Sequence, residues 1–267
     1  MSRSAPRSGR SQSGIHDVAA SGFDAQADTY ARTRPSYPAD AVAWVADALC
    51  LEPGVTVCDL AAGTGISTRL LTPTGATVLA VEPVPGMRTV LRTTVPQVPV
   101  AAGTAEALPF RDGALDAVTV FQAFHWFDSE IAAAELHRAI RSGGRLALVW
   151  NARDRSVPWV DAAWSVMDRV EKHAPWRDHD RWADTALASQ RWFGPLHEAV
   201  FHHEHVLPPE LVVERFRGVS HVAVLPPAEQ EAVLDEVRQI LASHPDTEGR
   251  TLLALPYRVD AYWCVRP

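Results

Sequence analysis

The chain has 267 residues, of which 47% are hydrophobic and 21% are charged, a composition typical of a globular protein with one sizeable core. Its net charge of −7 and its pI of about 5.9 argue against a nucleic-acid partner, because phosphate binding needs clustered Lys and Arg. No segment approaches the roughly 20 apolar residues of a membrane span, so no membrane partner is expected. Three separated cysteines without a C-x-x-C pair argue against a disulfide framework and favour the cytoplasm.

The chain begins with a polar tail at residues 1–14, which contains arginine and serine but no acid. The tail has little to bury, so it is predicted to be disordered. A transit peptide is the alternative, although no apolar face accompanies the arginines. A helical spacing of apolar residues follows at Phe23, Ala27, Tyr30 and Ala31, and the two prolines of Arg34–Pro38 end it.

Helix and strand signals alternate from residue 39 to residue 150. The pattern predicts helices at Ala39–Leu51, Ile66–Leu71, Gly86–Thr94 and Ile131–Ile140. It predicts strands at Val55–Leu60, Thr77–Val81, Pro99–Gly103, Asp116–Phe121 and Arg145–Trp150, with Ser142–Gly144 as a turn before the last of them. Repeated strand–helix units indicate an α/β fold with a doubly wound, mainly parallel sheet.

The regular alternation of strand and helix signals ends after Asn151. The segment Val157–Trp192 is predicted to be helical and is rich in tryptophan. A strand at Ala199–Leu207, helices at Leu211–Val219 and Ala228–Ala242, and a long strand or a hairpin at Leu252–Val265 complete the chain.

The most informative segment is the small-residue loop between the first strand and its helix, Asp59–Gly65. Glycines at this point of a doubly wound sheet let the backbone approach a nucleotide-like ligand. Starting at Gly63, the third glycine of a dinucleotide-binding G-x-G-x-x-G loop is missing. The carboxylate of Asp59 would repel a pyrophosphate but would suit a ligand with an ammonium and a sulfonium, such as S-adenosyl-L-methionine (SAM). A plain strand–helix turn is the alternative.

A second acid, Glu82, ends the next predicted strand. An acid at this point can accept hydrogen bonds from both ribose hydroxyls of a bound nucleoside. The alternative is a solvent-facing acid at the end of a strand. The loop and the acid together favour the ligand-binding interpretation.

From about Phe23 to Trp150 the chain resembles the class I SAM-dependent methyltransferases. Asp59–Gly65 looks like their glycine-rich motif with Ala61 in place of the usual first glycine, and Val81–Pro83 resembles their ribose-binding acid. Gly103–Phe110 is similar to their adenine-binding stretch, although Thr104 stands where the family often has Asp. A Thr hydroxyl can still form a hydrogen bond, and the amide of Ala105 could serve the adenine N1.

Further segments resemble a subgroup that includes trans-aconitate-type methyltransferases, among them Phe23–Pro38, Gln122–Phe127, Trp150–Asp154 and Leu255–Trp263. The resemblance implies a Rossmann-like fold with a seven-stranded sheet, an N-terminal helical lid and a C-terminal helical cap. The division is then a tail at 1–14, a lid at 15–40, a SAM-binding core at 41–151, and remaining strands with a substrate cap at 152–267.

The resemblance implies SAM as the cofactor and S-adenosyl-L-homocysteine (SAH) as its product. The residues expected to bind it are Tyr30, Arg34, Tyr37, Asp59, Ala61, Gly63, Gly65, Glu82, Pro83, Thr104, Ala105, Glu106, Phe121, Gln122 and Ala123. Tyr30, Arg34 and Tyr37 would close over its methionine end, where Arg34 could pair with the carboxylate; a surface arginine and an ordinary core Phe121 are the alternatives.

Two histidines are candidate catalytic residues. His125 lies between two aromatic residues beside the expected transfer site, and His221 lies in the expected cap. Either could be a general base, and either could be structural. The run His202–His205 places at most two ligands on each face of a strand, too few for a closed zinc site, so no metal is expected.

The expected function is methyl transfer to a small molecule, namely C-, N- or O-methylation of a secondary metabolite. The tryptophans suggest an aromatic or indole-like acceptor, or form the core of the cap. The alternative is carboxyl O-methylation of a small organic acid, for which the cap offers few cations beyond Arg153, Arg155 and Arg181. A catalytically inactive SAM-fold partner is the non-enzyme alternative. The chain is expected to be a monomer or a homodimer.

Overall fold

The computed structural model describes residues 34–170, 187, 190–223 and 225–267. Within these ranges the helices are α1 (Ala39–Ala48), α2 (Ile66–Leu71), α3 (Pro85–Thr94), α4 (Ser129–Ala139), α5 (Pro158–Val170), α6 (Pro209–Arg217), α7 (Ser220–Ala223) and α8 (Pro227–Ser243). The strands are β1 (Thr56–Leu60), β2 (Thr77–Val81), β3 (Val100–Ala101), β4 (Leu115–Phe121), β5 (Ile140–Arg153), β6 (His197–Leu207) and β7 (Leu253–Val265). Short 3-10 helices lie at Thr72–Thr74 and Phe124–Trp126.

The seven strands form one mixed sheet in the order β3-β2-β1-β4-β5-β7-β6. Strands β1 to β5 pair in parallel, and β7 pairs antiparallel with both β5 and β6. The order reverses between β1 and β4, so their connections leave in opposite directions. Ligands of doubly wound sheets bind at this switch point, outside the carboxyl ends of the strands.

Helices cover both faces of the sheet, as its buried parallel strands require. Apolar residues of α1, α2 and α3 pack with one face, and those of α4 pack with the other. Strand β6 lies at the edge, and its residues alternate between exposed and half-buried. The Rossmann-like, doubly wound α/β fold expected from the sequence is therefore confirmed.

A third apolar cluster joins helices α5, α6, α7 and α8 to one end of β6 and β7. Its members include Trp159, Trp164 and Phe216, and the ring centroids of Trp164 and Phe216 lie 4.2 Å apart. This helical layer stands beside the carboxyl end of β5, so it is placed to border a site at the switch point.

One predicted element differs from the structure, and the structure decides between the two alternatives for another. Ser142–Gly144 belongs to β5 as an irregular, bulged stretch, because Leu115 pairs with Ile140 while Ala117 pairs with Arg145. A Cβ on Gly144 would lie 2.5 Å from a side-chain atom of Ile140 and 2.7 Å from the Asp116 carbonyl oxygen, so only glycine fits there. The segment Leu252–Val265 forms one strand, which excludes the hairpin.

The other predicted elements that lie in the described residues between Ala39 and Val265 also occur. Ile66–Leu71 and Thr77–Val81 have the predicted bounds, and the bounds of the rest are shifted. The predicted helix near Phe23 lies outside the described residues, as does most of Val157–Trp192 beyond Val170. The described residues Gln190–Trp192 form a turn and a bend, so the predicted helix does not extend to Trp192. In the part of the chain that the structure describes, no helix is both long and apolar enough to cross a bilayer.

Candidate functional site

The loop between β1 and α2 has the backbone geometry of a ligand cradle. Ala61, Gly63 and Gly65 all adopt positive φ, at 54°, 58° and 89°. This left-handed region costs a residue with a Cβ about 1–2 kcal/mol, so Ala61 is strained where glycine would be relaxed. The loop therefore turns sharply at the switch point, where strain in a non-glycine residue often accompanies function.

Glu82 lies immediately after β2 and is 3% exposed. Its carboxylate accepts hydrogen bonds from the backbone amides of Gly63 and Val84, each at 2.8 Å. Burial raises the pKa of Glu82 to about 7, although the amides of Val84 and Gly63 and the charge of Arg88 oppose the rise. One carboxylate thus ties the glycine-rich loop to the end of β2, and each of its oxygens keeps a second lone pair.

Asp59 faces the interior of the fold rather than the ligand side of the loop. It is 0% exposed, and it accepts hydrogen bonds from the hydroxyls of Ser67 at 2.7 Å, Thr68 at 2.6 Å and Thr119 at 3.2 Å. Thr119 stands opposite Asp59 in the β1–β4 register, and the other two hydroxyls come from the first turn of α2. The expected direct contact between Asp59 and a ligand ammonium gives way to a role in fixing α2 against β1 and β4.

Burial of the Asp59 carboxyl should make the free energy of unfolding depend on pH. Burial raises the pKa of Asp59 from 3.8 to about 6, with the three hydroxyls opposing the rise. The folded protein then holds a proton that the unfolded chain has lost, so this contribution to stability is complete below about pH 4 and disappears as the pH rises through 6. At about 1.4 kcal/mol per pH unit, Asp59 should account for a loss of about 3 kcal/mol between pH 4 and pH 7.

Urea denaturation of the wild type and of Asp59→Asn at several pH values measures this term. The difference in unfolding free energy between the two should shift in favour of the variant by about 3 kcal/mol as the pH rises from 4 to 7. Asp116→Asn is the control: hydrogen bonds from Arg141 and Thr56 outweigh burial and lower the pKa of Asp116, so its effect should be constant above pH 5. A constant difference for Asp59→Asn would contradict the buried, protonated carboxyl.

The segment from Arg34 to Pro38 crosses over the carboxyl ends of the central strands. The ring of Tyr37 packs edge-on against Phe121 of β4, with 4.7 Å between the centroids. The side-chain amide of Asn151, in β5, donates to the Ser36 carbonyl at 3.0 Å, and Arg34 donates to the Gly218 carbonyl at 3.3 Å. Arg34 and Tyr37 therefore lie where the sequence placed the end of a lid, whereas Tyr30 lies outside the described residues.

A cleft of about 490 Å³, including its open mouth, lies beneath this segment. Its walls come from the lid segment, the glycine-rich loop, the ends of β4 and β5, and α6. The lining residues are Arg34, Pro35, Tyr37, Ala61, Ala62, Gly63, Thr64, Ile66, Ser67, Phe121, Gln122, Asn151 and Arg215. Thr64, Asn151 and Arg215 were not among the ligand-binding residues predicted from the sequence. Asn151 could have been predicted, because it directly follows the predicted fifth strand and ligands bind at the carboxyl ends of the strands.

Strand β4 leads directly into the floor of the cleft. Gln122 adopts a positive φ of 56°, and its side-chain amide donates to the Asn151 carbonyl at 2.8 Å. The next residue, Ala123, is 8% exposed. Phe121 belongs to a core cluster and also lines the cleft. The two interpretations of this residue, as a core residue and as a residue that faces the ligand, are therefore compatible.

The predicted adenine stretch follows β3, which pairs with β2, so it lies farther along the same edge of the sheet than Glu82. The Ala107 amide donates to the Thr104 carbonyl at 3.2 Å and forms a tight turn, and Ala105 is 2% exposed. The carboxylate of Glu106 accepts from the Asp128 amide at 2.8 Å. Pro83 contributes its carbonyl to Arg88, which holds the start of α3.

His125 lies on the 3-10 helix after β4, where its Nδ1 accepts from the Trp150 indole N–H at 3.4 Å. His221 lies on α7, four residues after the end of α6; its side chain is outside the described part of the structure. In β6, His203 and His205 share the half-buried face while His202 and Glu204 are exposed. Among the described residues, no three His, Cys, Asp or Glu side chains are grouped to hold a metal ion.

Of the described tryptophans of this segment, Trp159 and Trp164 are core residues, whereas Trp192 is half-buried and packs against the apolar cluster that contains α4. Trp159 and Trp164 are 5% and 3% exposed within the third apolar cluster. Arg153 stacks over Trp164 at 5.0 Å. Trp176 and Trp182 lie outside the described residues, so the aromatic-pocket interpretation has no support from the tryptophans that the structure places.

The sheet order, the strained loop at the switch point and the buried strand-end carboxylate together define a class I methyltransferase. The sequence profile of a methyltransferase domain family matches residues 58–148. An uncharacterized methyltransferase of Mycobacterium tuberculosis is 37% identical over 235 residues, which cover 88% of this chain and 91% of the relative. An uncharacterized methyltransferase-like protein of Schizosaccharomyces pombe is 32% identical, with 90% and 93% covered.

Among solved structures, a type II methyltransferase from Anaeromyxobacter dehalogenans matches with a TM-score of 0.58 and 26% identity, over 87% of this chain and 96% of that one. The chain therefore belongs to the class I SAM-dependent methyltransferases, and the expectation that it is an enzyme of this kind is confirmed.

Proposed function

We propose that the cleft holds the methionine end of SAM and that the chain transfers its methyl group to a small molecule. The observation that carries the proposal is the hydrogen bond from the Gly63 amide to the buried Glu82 carboxylate, which fixes a strained loop and a free set of acceptor lone pairs at the switch point. In this arrangement Glu82 accepts the ribose hydroxyls, and the turn at Thr104–Glu106 meets the adenine.

The residues around the cleft fit such a cofactor. Positive φ at Ala61 and Gly63 turns the loop sharply, which lets backbone approach the ligand closely. Tyr37 and Phe121 supply adjoining aromatic surfaces. SAM, when bound, supplies a methyl group that is already activated as a sulfonium, so the protein chiefly contributes position and electrostatics.

Each side of the cleft has a task in that scheme. The Arg34–Pro38 segment, held by Asn151 and by the Gly218 carbonyl, covers the cofactor and excludes water. Holding an acceptor about 3–3.5 Å from the methyl carbon supplies several kcal/mol of the barrier. The acceptor must enter between the lid segment and the helical layer of α5 to α8, because the loop and the strand ends occupy the other sides.

The acceptor is proposed to be a small molecule, and a small organic acid is the candidate that a specific observation favours. That observation is Arg215, a buried cation in the cleft. The cations considered from the sequence are otherwise engaged or undescribed: Arg155 pairs with Asp161 and Asp168, Arg153 stacks on Trp164, and Arg181 lies outside the described residues. The resemblance to trans-aconitate-type enzymes agrees with an acid but does not decide it.

Isothermal titration calorimetry tests the cofactor proposal. The protein should bind SAH with micromolar affinity and should not bind NAD, because its loop lacks the third glycine of a dinucleotide-binding motif. SAH lacks only the transferable methyl group and the sulfonium charge, so it reports on the same contacts. Binding of NAD without binding of SAH would overturn the proposal.

A further inference from the structure

Arg215 is an unusual residue in this structure. It lies on α6 among Val212, Val213 and Phe216 and is only 1% exposed. Its Nε and Nη1 atoms are buried and have no hydrogen-bond partner, and no ion pair within the described ranges includes it. Burying a guanidinium without a partner costs several kcal/mol, so a native protein keeps such a group for a reason.

The side chain of Arg215 lines the cleft. Burial lowers the pKa of His205, and the positive charge of Arg215 lowers it further. His205, the neighbour whose pKa the charge of Arg215 lowers, is therefore a neutral base and not an acid that could compensate Arg215. The guanidinium remains available to a ligand.

A second donor without a partner, from another element of the fold, lines the same cleft. Thr64, on the glycine-rich loop, is 3% exposed, and its buried hydroxyl has no hydrogen-bond partner. A guanidinium and a hydroxyl that face one cavity form a donor set for an anion with several acceptor oxygens. A carboxylate fits best, since arginine binds it through two parallel hydrogen bonds.

We propose that Arg215 and Thr64 hold a carboxylate in the cleft. The inference rests on the proposed function, because that function defines what enters the cleft. The carboxylate has two possible sources, the amino-acid part of the cofactor or an acidic acceptor. The charge balance favours the acceptor: SAM carries a net charge of +1, and Arg34 already lines the cleft as a cation, so an acceptor carboxylate would compensate Arg215.

Calorimetry on the wild type, Arg215→Met and Arg217→Met separates these sources. Arg217 is the matched control, since it lies on the same helix but pairs with Glu214 and Glu231 away from the cleft lining. Each protein is titrated with SAH and with 5′-methylthioadenosine, which lacks the amino-acid part. Each SAH-saturated protein is then titrated with propionate, succinate, tricarballylate, benzoate and indole-3-acetate, and with the corresponding amides.

If the cofactor supplies the carboxylate, Arg215→Met should bind SAH at least tenfold more weakly than the wild type and bind 5′-methylthioadenosine equally. If an acceptor supplies it, SAH should bind both proteins equally, and at least one acid, but not its amide, should bind the wild type at least tenfold more tightly. Equal SAH affinities with no acid that distinguishes the two proteins would overturn the proposal. A wild type that binds no SAH would instead overturn the proposed function.

Thermal unfolding supplies a readout that a purely structural arginine would not give. Without ligand, Arg215→Met should melt at or above the wild-type temperature, because it removes an unpartnered buried charge, whereas Arg217→Met should melt slightly lower. If Arg215→Met does not fold, Arg215→Lys, which keeps the charge without the planar fork, replaces it in the binding experiment and should show an intermediate loss of affinity. Wild-type affinity of Arg215→Lys for SAH and for every acid would then overturn the proposal.

Discussion

Glu82→Gln should weaken the binding of SAH by about 10- to 100-fold, the range that follows from losing hydrogen bonds to a charged acceptor. The wild-type carboxylate accepts from the amides of Gly63 and Val84 and is proposed to accept the ribose hydroxyls with its remaining lone pairs. Glutamine replaces one oxygen with an NH₂ group, which confronts a backbone N–H donor with another donor. Both the loop and the ribose therefore lose an acceptor.

The pH dependence of binding gives the same prediction a second signature. Burial raises the pKa of Glu82 to about 7, against the opposing amides and Arg88. Hydroxyl donors favour the ionised carboxylate, so SAH should bind more tightly as the pH rises through 7. The affinity of the wild type should increase about tenfold from pH 6 to pH 8, as expected when binding requires ionisation of one group, and that of Glu82→Gln should not change.

Calorimetry at pH 6, 7 and 8 measures both effects. Asp116→Asn is again the control, because Asp116 also accepts a backbone amide, from Thr56, but lies at the amino end of β4, on the edge of the sheet opposite the cleft. The Asp116→Asn protein should bind SAH with the wild-type affinity, and this affinity should depend on pH as it does in the wild type. A Glu82→Gln protein with an unchanged dissociation constant would exclude the ribose-binding role.

The parallel core was predictable because its signals are local. Short apolar runs alternate with helical spacing from Ala39 to Trp150, and a doubly wound sheet buries such strands on both faces. The structure confirms this and adds a sheet order that no local pattern specifies. Ser142–Gly144 shows the limit: the two glycines suggest a turn, but the close contact of Gly144 with Ile140 and Asp116 arises from strand pairing that the sequence does not reveal.

The candidate site was predictable to the extent that it follows strand ends. The loop at Ala61–Gly65, Glu82 and Gln122 come after predicted strands, and the structure places them at one edge of the sheet. The sequence does not reveal which way a side chain points. Asp59 was expected to face the ligand, but its carboxylate faces three hydroxyls in the interior. Arg215 was missed because an arginine on an amphipathic helix ordinarily faces solvent, and its burial depends on how α6 packs.

The remaining question of mechanism is which histidine acts if the acceptor must lose a proton. An indole N–H can only donate, so the Nδ1 of His125, which faces the Trp150 indole at 3.4 Å, is an acceptor, and the proton of the neutral ring lies on Nε2. That tautomer makes His125 a donor or a positioning residue. His221 lies three residues after Gly218, whose carbonyl accepts from Arg34 of the lid segment, and we propose His221 as the base.

For an acceptor that must lose a proton, His221→Ala should lower turnover by about 10²–10⁴-fold, the usual contribution of a general base, and leave the affinity for SAH unchanged. His125→Ala should lower turnover by about 10-fold or less, since it removes orientation rather than proton transfer. The assay follows methyl transfer from SAM to whichever member of a panel of small acids, phenols and amines is methylated fastest. The wild-type rate should fall on the acid side of its pH profile, where a general base is protonated, and His221→Ala should lack this acid limb. Near-normal turnover in both variants would contradict a histidine base and indicate an acceptor that reacts without losing a proton, as a carboxylate held near Arg215 would.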